Sequence, residues 1–154
     1  ADDARDRIQY DGRDEWRPSW NYPLPDLAAA IGRPQLAAME EWIERRRAIA
    51  ARYQEAAERA GCARPPAPPG ACHYRFLIEL SDFAAGQHAD EHFRGRGIEA
   101  KPAVFRPLHR YLELADLDFP VTTEVWERSL SVPLYPSLTE PEIEQVIEAI
   151  TTLP

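Results

Sequence analysis

The stretch SLSVPLYPSLTEPEIEQVIEAI, residues 129–150, decides how this chain reads. Ser129–Leu134 is short, apolar on alternate positions and closed by Pro136, as a strand is. Thr139-Glu140-Pro141-Glu142 follows, with a cap hydroxyl, a proline early in the first turn and a glutamate three residues after the cap. Ile143, Val146, Ile147 and Ile150 then recur at helical spacing and form one apolar face. A strand running straight into an amphipathic helix needs other layers to cover both apolar faces.

Upstream, residues 122–129 read as a short helix capped by Thr122 or Thr123. Ile98–Phe105 reads as a strand, and residues 88–96 as a short helix closed by Gly97. Residues 73–80, rich in aromatic and β-branched side chains, read as another strand. A long helix spans about Gln35–Ala60 and ends at Gly61. Leu36, Met39, Ile43, Ala50 and Tyr53 are its core stripe, and Glu41–Arg45 and Glu55–Arg59 are spaced to pair on its other faces. Asp26 caps a shorter helix over Leu27–Ile31, which Gly32 and Pro34 should interrupt. Residues 1–25 read as a short helix and an extended loop, and form a unit apart from 26–154. The sum is an α+β fold: a long helix, a sheet of about three strands, and helices on one side.

The 154 residues suit one domain. At 44% hydrophobic and 29% charged, the chain can bury a core. A net charge of −8 argues against a nucleic-acid surface, which needs clustered positive charge. No apolar run approaches the ~20 residues that span a bilayer. The charged N-terminus is not a secretory signal, so the expected location is the cytoplasm. The chain does not open on methionine and reads as part of something longer. Cys62 and Cys72, with the adjacent His73, fall short of a four-ligand zinc site, and the two cysteines are expected as free thiols. The chain has no phosphate loop, no nucleophile elbow and no complete catalytic constellation.

Three segments in order resemble a known family. The first is NYPLPDLAAAIGRPQL (21–36), continued by RRRAIAARY (45–53). The second is GIEAKP (97–102) with FRPLH (105–109), and the third is LSVPLYPSLTEPEI (130–143). Together they are similar to the C-terminal part of the DegT/DnrJ/StrS aminotransferases, which depend on pyridoxal 5'-phosphate. The resemblance implies the small C-terminal domain of a fold-type-I enzyme. The large N-terminal domain of such enzymes carries the Schiff-base lysine. They are usually homodimers acting on nucleotide-linked keto-sugars or keto-cyclitols.

Carried over, the resemblance makes Asn21 the residue that reaches across the dimer to the cofactor phosphate. Arg106 and His109 become substrate-side residues. Pro23 stands where the family often has arginine, and Asp11-Gly12 where it often has His-Gly. Relative to the family's commonest spacing, one extra residue lies between Lys101 and Phe105. Lys101 is the chain's single lysine and falls in an expected strand, so no catalytic residue is assigned here. The chain's expected partners are its own large domain or a second subunit. Two further readings are a non-catalytic partner that completes another chain's active site, in a hetero-assembly, and a stand-alone binding domain. Trp16, Trp20, Trp42 and Tyr53 are the expected interface side chains.

Overall fold

A computed structural model of the chain describes residues 24–62, 67–81 and 83–153, with backbone only for 83–88. Two compact units divide it, Ala1–Ala37 and Ala38–Pro154. The elements are α1 (Asp26–Arg59), β1 (Phe76–Glu79), α2 (Phe83–Gly95), β2 (Lys101–Pro102), α3 (Leu108–Tyr111), α4 (Pro120–Arg128), β3 (Ser129–Val132) and α5 (Glu140–Thr151). A 3-10 turn at Asp116–Asp118 lies between α3 and α4. The sheet order is β1-β3-β2, with both outer strands antiparallel to β3.

Within the first unit, α1 does not stop at Gly32 or Pro34 but runs through both. A proline removes one helical hydrogen bond and costs about 3 kcal/mol, but the alanine-rich turns around it have strong helix propensity.

In the second unit the core starts at Ile49. Ile49, Tyr53 and Ala56 of α1 meet Phe76 and Ile78 of β1, Leu130 and Val132 of β3, Phe93 of α2, and Ile143, Val146 and Ile150 of α5. The register Phe76↔Val132 and Ile78↔Leu130 puts these strand residues on one face. Each large side chain buried there contributes about 1.5–3 kcal/mol of transfer free energy. Met39, assigned to the core stripe by its spacing, is exposed, and so is Leu36 in the first unit. Tyr53, read both as part of the core stripe and as an interface candidate, is fully buried edge-on to Phe76 at 5.4 Å, as the stripe implies. Trp42 is 40% exposed, while Trp16 and Trp20 lie outside the described residues.

The arginines of α1 fix the loops around the sheet. Arg46 Nη1 donates to three carbonyls, Leu134 at 3.0 Å, Tyr74 at 3.3 Å and His73 at 3.4 Å. Arg47 binds the Gly70 and Ala71 carbonyls at 2.7 and 3.1 Å. Arg45 takes the Leu138 carbonyl and Glu140, and Arg52 takes Glu140 and Glu144. The expected pairing of Arg45 with Glu41 thus gives way to a tertiary one, and Arg59 donates to the Glu55 backbone carbonyl rather than its carboxylate.

These contacts also shorten the strands. His73 has φ +48°, so β1 begins only at Phe76. Pro102 has no N–H for the ladder and Arg75 holds the Ala103 carbonyl at 2.9 Å, so β2 is two residues rather than Ile98–Phe105. β3 stops at Val132, before Pro133.

Helix ends follow their local chemistry. Gly61 and Gly97, both at positive φ, close α1 and α2 with paired N–H bonds back to Ala57 and Glu58, and to Phe93 and Arg94. α2 starts at Phe83, earlier than its apolar spacing suggested. Pro120 rather than a threonine opens α4, and Phe119 is its cap residue. At α5 the Thr139 N–H and hydroxyl both donate to Glu142 Oε2, at 2.8 and 2.7 Å, holding that carboxyl below its usual range. No helix among the described residues is long and apolar enough to cross a membrane.

Two substitutions test this packing. Arg46→Ala removes three carbonyl contacts from a half-buried cation and is expected to cost about 1.5–3 kcal/mol in urea unfolding. The Tyr53 hydroxyl is buried with no hydrogen-bond partner among the described residues. Tyr53→Phe should therefore leave stability unchanged or raise it by up to about 1 kcal/mol. A large loss in that variant would reveal a partner for the hydroxyl.

Candidate functional site

Residues 103–126 form a compact device beside the sheet. Pro107, at φ −62° and ψ 148°, sets α3 going for a single turn. Glu113 at φ +55° reverses the chain, with the Leu114 N–H returning to the His109 carbonyl at 3.0 Å. The 3-10 turn then brings Asp116 back under α3, and α4 lies alongside.

Between the 103–111 segment and α4 is a groove of about 630 Å³. Val104, Leu108, Tyr111, Val121, Val125 and Trp126 line it, with Arg106 as its cation. The Arg106 guanidinium stands 5.6 Å from the centre of the Tyr111 ring. The lining matches a ligand with an apolar portion and an anionic one. Leu108, Val104 and Val121 are all more than half exposed, so the groove is open.

His109 is placed differently from Arg106. Only 4% exposed, it stacks on Phe119 at 4.9 Å and 15° and its Nε2 lies 2.9 Å from Asp116 Oδ1. Thr123 Oγ1 is also within 3.4 Å of that nitrogen. His109 therefore shapes the wall from behind, while Arg106 stands on its face. Asn21 and Pro23 lie outside the described residues.

Sequence reasoning passed over the residues that hold the wall together. Arg110 forks onto Asp116, Nε to Oδ1 at 2.9 Å and Nη2 to Oδ2 at 2.8 Å, and reaches Glu127 at 3.4 Å. Its guanidinium also covers the Trp126 ring at 4.5 Å, and Trp126 Nε1 donates to the Val104 carbonyl at 2.8 Å. Asp116 sits in a loop without periodicity, and no local pattern pairs it with Arg110.

Lys101 is 63% exposed and pairs with Glu99 at 3.0 Å. It lines a second cleft, of about 560 Å³, which shares no lining residue with the groove. An amine open to water and paired with a carboxylate lacks the dry setting that activates a lysine nucleophile. Cys62 and Cys72 are free thiols. Among the described residues no His, Cys, Asp or Glu cluster could hold a metal.

The architecture is that of the small C-terminal domain of a fold-type-I aminotransferase. The chain belongs to the DegT/DnrJ/EryC1/StrS aminotransferase family, which it matches over residues 3–151. It is 28% identical over 145 residues to the spore coat polysaccharide biosynthesis protein SpsC of Bacillus subtilis (strain 168), covering 86% of this chain and 37% of that protein. It is 32% identical over 128 residues to the dTDP-4-dehydro-2,3,6-trideoxy-D-glucose 4-aminotransferase of Saccharopolyspora spinosa, covering 80% of this chain and 33% of that enzyme. A solved DegT DnrJ EryC1 StrS aminotransferase from Brucella abortus superposes with TM-score 0.71 at 28% identity, over 93% of this chain and 38% of its own. The chain thus spans 33–38% of the length of these relatives.

Aminotransferases of this family depend on pyridoxal phosphate, and solved sugar aminotransferases of this fold exist in pyridoxal and pyridoxamine phosphate forms. The chain's single lysine is Lys101, exposed and ion-paired with Glu99.

The electrostatics of the wall predict its pH behaviour. The Arg110 guanidinium, and after it the His109 ring, hold the Asp116 carboxyl down from 3.8 to about 2. The folded value lies below the unfolded one, so this pairing stabilises above about pH 4 and is lost as pH falls toward about 2. Order around Trp126, followed by its indole N–H signal, is expected to stay constant from about pH 8 to 5 and to decay below about pH 4. Asp116→Asn should abolish that acid transition.

Proposed function

We propose that this chain is the C-terminal part of a pyridoxal-phosphate-dependent aminotransferase acting on a nucleotide-linked keto-sugar or keto-cyclitol. The Schiff-base lysine and most of the cofactor site belong to a large N-terminal domain outside it. The observation that carries the reading is the family match over nearly the whole chain, set beside a single lysine that is exposed and paired with Glu99. In this reading Asn21 supplies a neutral amide donor to the cofactor phosphate of a partner subunit in a cytoplasmic homodimer. Arg106 offers its cation to the diphosphate or to the donor carboxylate, as a planar guanidinium suits. His109 shapes the same wall through Phe119 and Asp116. Likeness to a dTDP-keto-sugar aminotransferase favours a sugar over a cyclitol.

The test is transamination of a nucleotide-linked keto-sugar, with glutamate or glutamine as donor, by the complete enzyme that carries this chain. Lys101→Arg is expected to keep its rate within about twofold, because Lys101 does no covalent chemistry. Arg106→Ala is expected to raise KM for the sugar nucleotide about tenfold with kcat little changed, as loss of uniform binding does. Inactivity of the Lys101→Arg enzyme would return the covalent step to this chain. A wild-type enzyme that aminates no keto-sugar would sink the reading.

A further inference from the structure

Asp116 does not line the groove, yet His109, Phe119, Arg110 and Trp126 around its inner wall all lead back to it. Its Oδ1 accepts from His109 Nε2 and Arg110 Nε, both at 2.9 Å, and its Oδ2 accepts from Arg110 Nη2 at 2.8 Å. A carboxylate taking three donors fixes both residues at once, because Arg110 cannot rotate without breaking the fork. The fixed guanidinium plane lies over the Trp126 ring at 4.5 Å. Trp126 in turn holds the Val104 carbonyl at 2.8 Å, two residues before Arg106. On the other side, the oriented His109 ring stacks on Phe119, the residue that leads into α4. Both walls of the groove are therefore tied to one carboxylate.

We infer that Asp116 is the positioning residue of the groove: through Arg110, Trp126 and Val104 it sets the wall that presents Arg106, and through His109 and Phe119 it sets the start of α4. The functional half of this inference rests on reading the groove as the sugar-nucleotide side of the aminotransferase. The geometric half stands on the contacts alone. A hydrogen-bonded network of this kind loses more than one contact when its shared acceptor is removed. Asparagine offers one acceptor oxygen and turns an N–H₂ toward the Arg110 donors, so Asp116→Asn breaks the fork with little change of volume.

Two measurements separate the halves. The first is the indole N–H signal of Trp126 in the full chain, assigned by its disappearance in Trp126→Phe. Asp116→Asn is expected to shift or broaden it while the Trp42 signal stays put, and Asp116→Glu is expected to restore it in part. Arg110→Lys, which keeps the charge but loses the fork and the flat face over Trp126, should reproduce the Asn phenotype if the Asn variant folds poorly. The second is steady-state kinetics of the complete enzyme with a dTDP-linked keto-sugar. Asp116→Asn is expected to raise KM for the sugar nucleotide about tenfold and leave kcat within about twofold, matching Arg106→Ala although Asp116 does not line the groove.

An unmoved Trp126 signal in both variants would overturn the inference whatever the kinetics show. A shifted signal with unchanged KM would overturn it too, since the wall would then be irrelevant to binding. A shifted, Glu-rescued signal in an enzyme that aminates no keto-sugar would uphold the positioning role and remove the sugar-nucleotide reading instead.

Discussion

The second unit depends on one arrangement more than any other, the run of arginines along α1 that captures backbone carbonyls. Arg46 alone holds carbonyls from the approach to β1 and from the exit of β3. Arg45, Arg47 and Arg52 add the connector at 70–71 and the start of α5. A guanidinium suits this because its donors fan out in one plane, can serve several acceptors, and keep their charge at any working pH. The captured carbonyls all lie outside the described strands. Polar backbone that leaves the sheet this early needs donors from elsewhere. The long helix thus does two jobs: Ile49, Tyr53 and Ala56 fill the core, while the arginines tie down the loops that frame it.

That frame leaves residues 103–126 to be organised by themselves. Before α4 begins at Pro120, their backbone has one short helical turn, a residue at positive φ and a 3-10 turn. Order comes from side chains instead, through the Asp116 carboxylate, the stacked His109 and Phe119 rings, and Arg110 over Trp126. This segment is also where apolar side chains are left open, Phe105 and Leu117 above all. The chain spans about a third of its relatives' length, and an open apolar surface of this kind favours association.

Much of the fold could be read along the chain. The Thr139–Glu142 cap, the two glycine helix ends and the identity of all three strands follow from neighbours within a few residues, and the structure contains them. Boundaries read less well, for reasons that are tertiary. Pro34 sits inside a helix that the alanine-rich turns carry past it. The strands end where Arg46 and Arg75 take the carbonyls that a ladder would have used. The Glu41–Arg45 spacing allows a local pair, but Glu140 is presented to the same arginine by a helix 95 residues away. Of the candidate site, Arg106 and His109 were legible only through family motifs. Asp116, Arg110 and Trp126 were not legible at all, because their contacts join turns and helices that no periodic pattern relates.

By itself, then, the amino-acid sequence determined the class of fold, the caps and stops of its helices, and the family to which the chain belongs. Those properties rest on interactions between residues close in the chain, or on motifs that survive as strings. Only the tertiary structure decided that Tyr53 is core rather than interface, that His109 backs the groove while Arg106 faces it, and that Lys101 is an exposed ion-pair partner. Each of these turns on which distant groups share a small volume: burial, stacking and a shared carboxylate are properties of packing, and local spacing does not encode them.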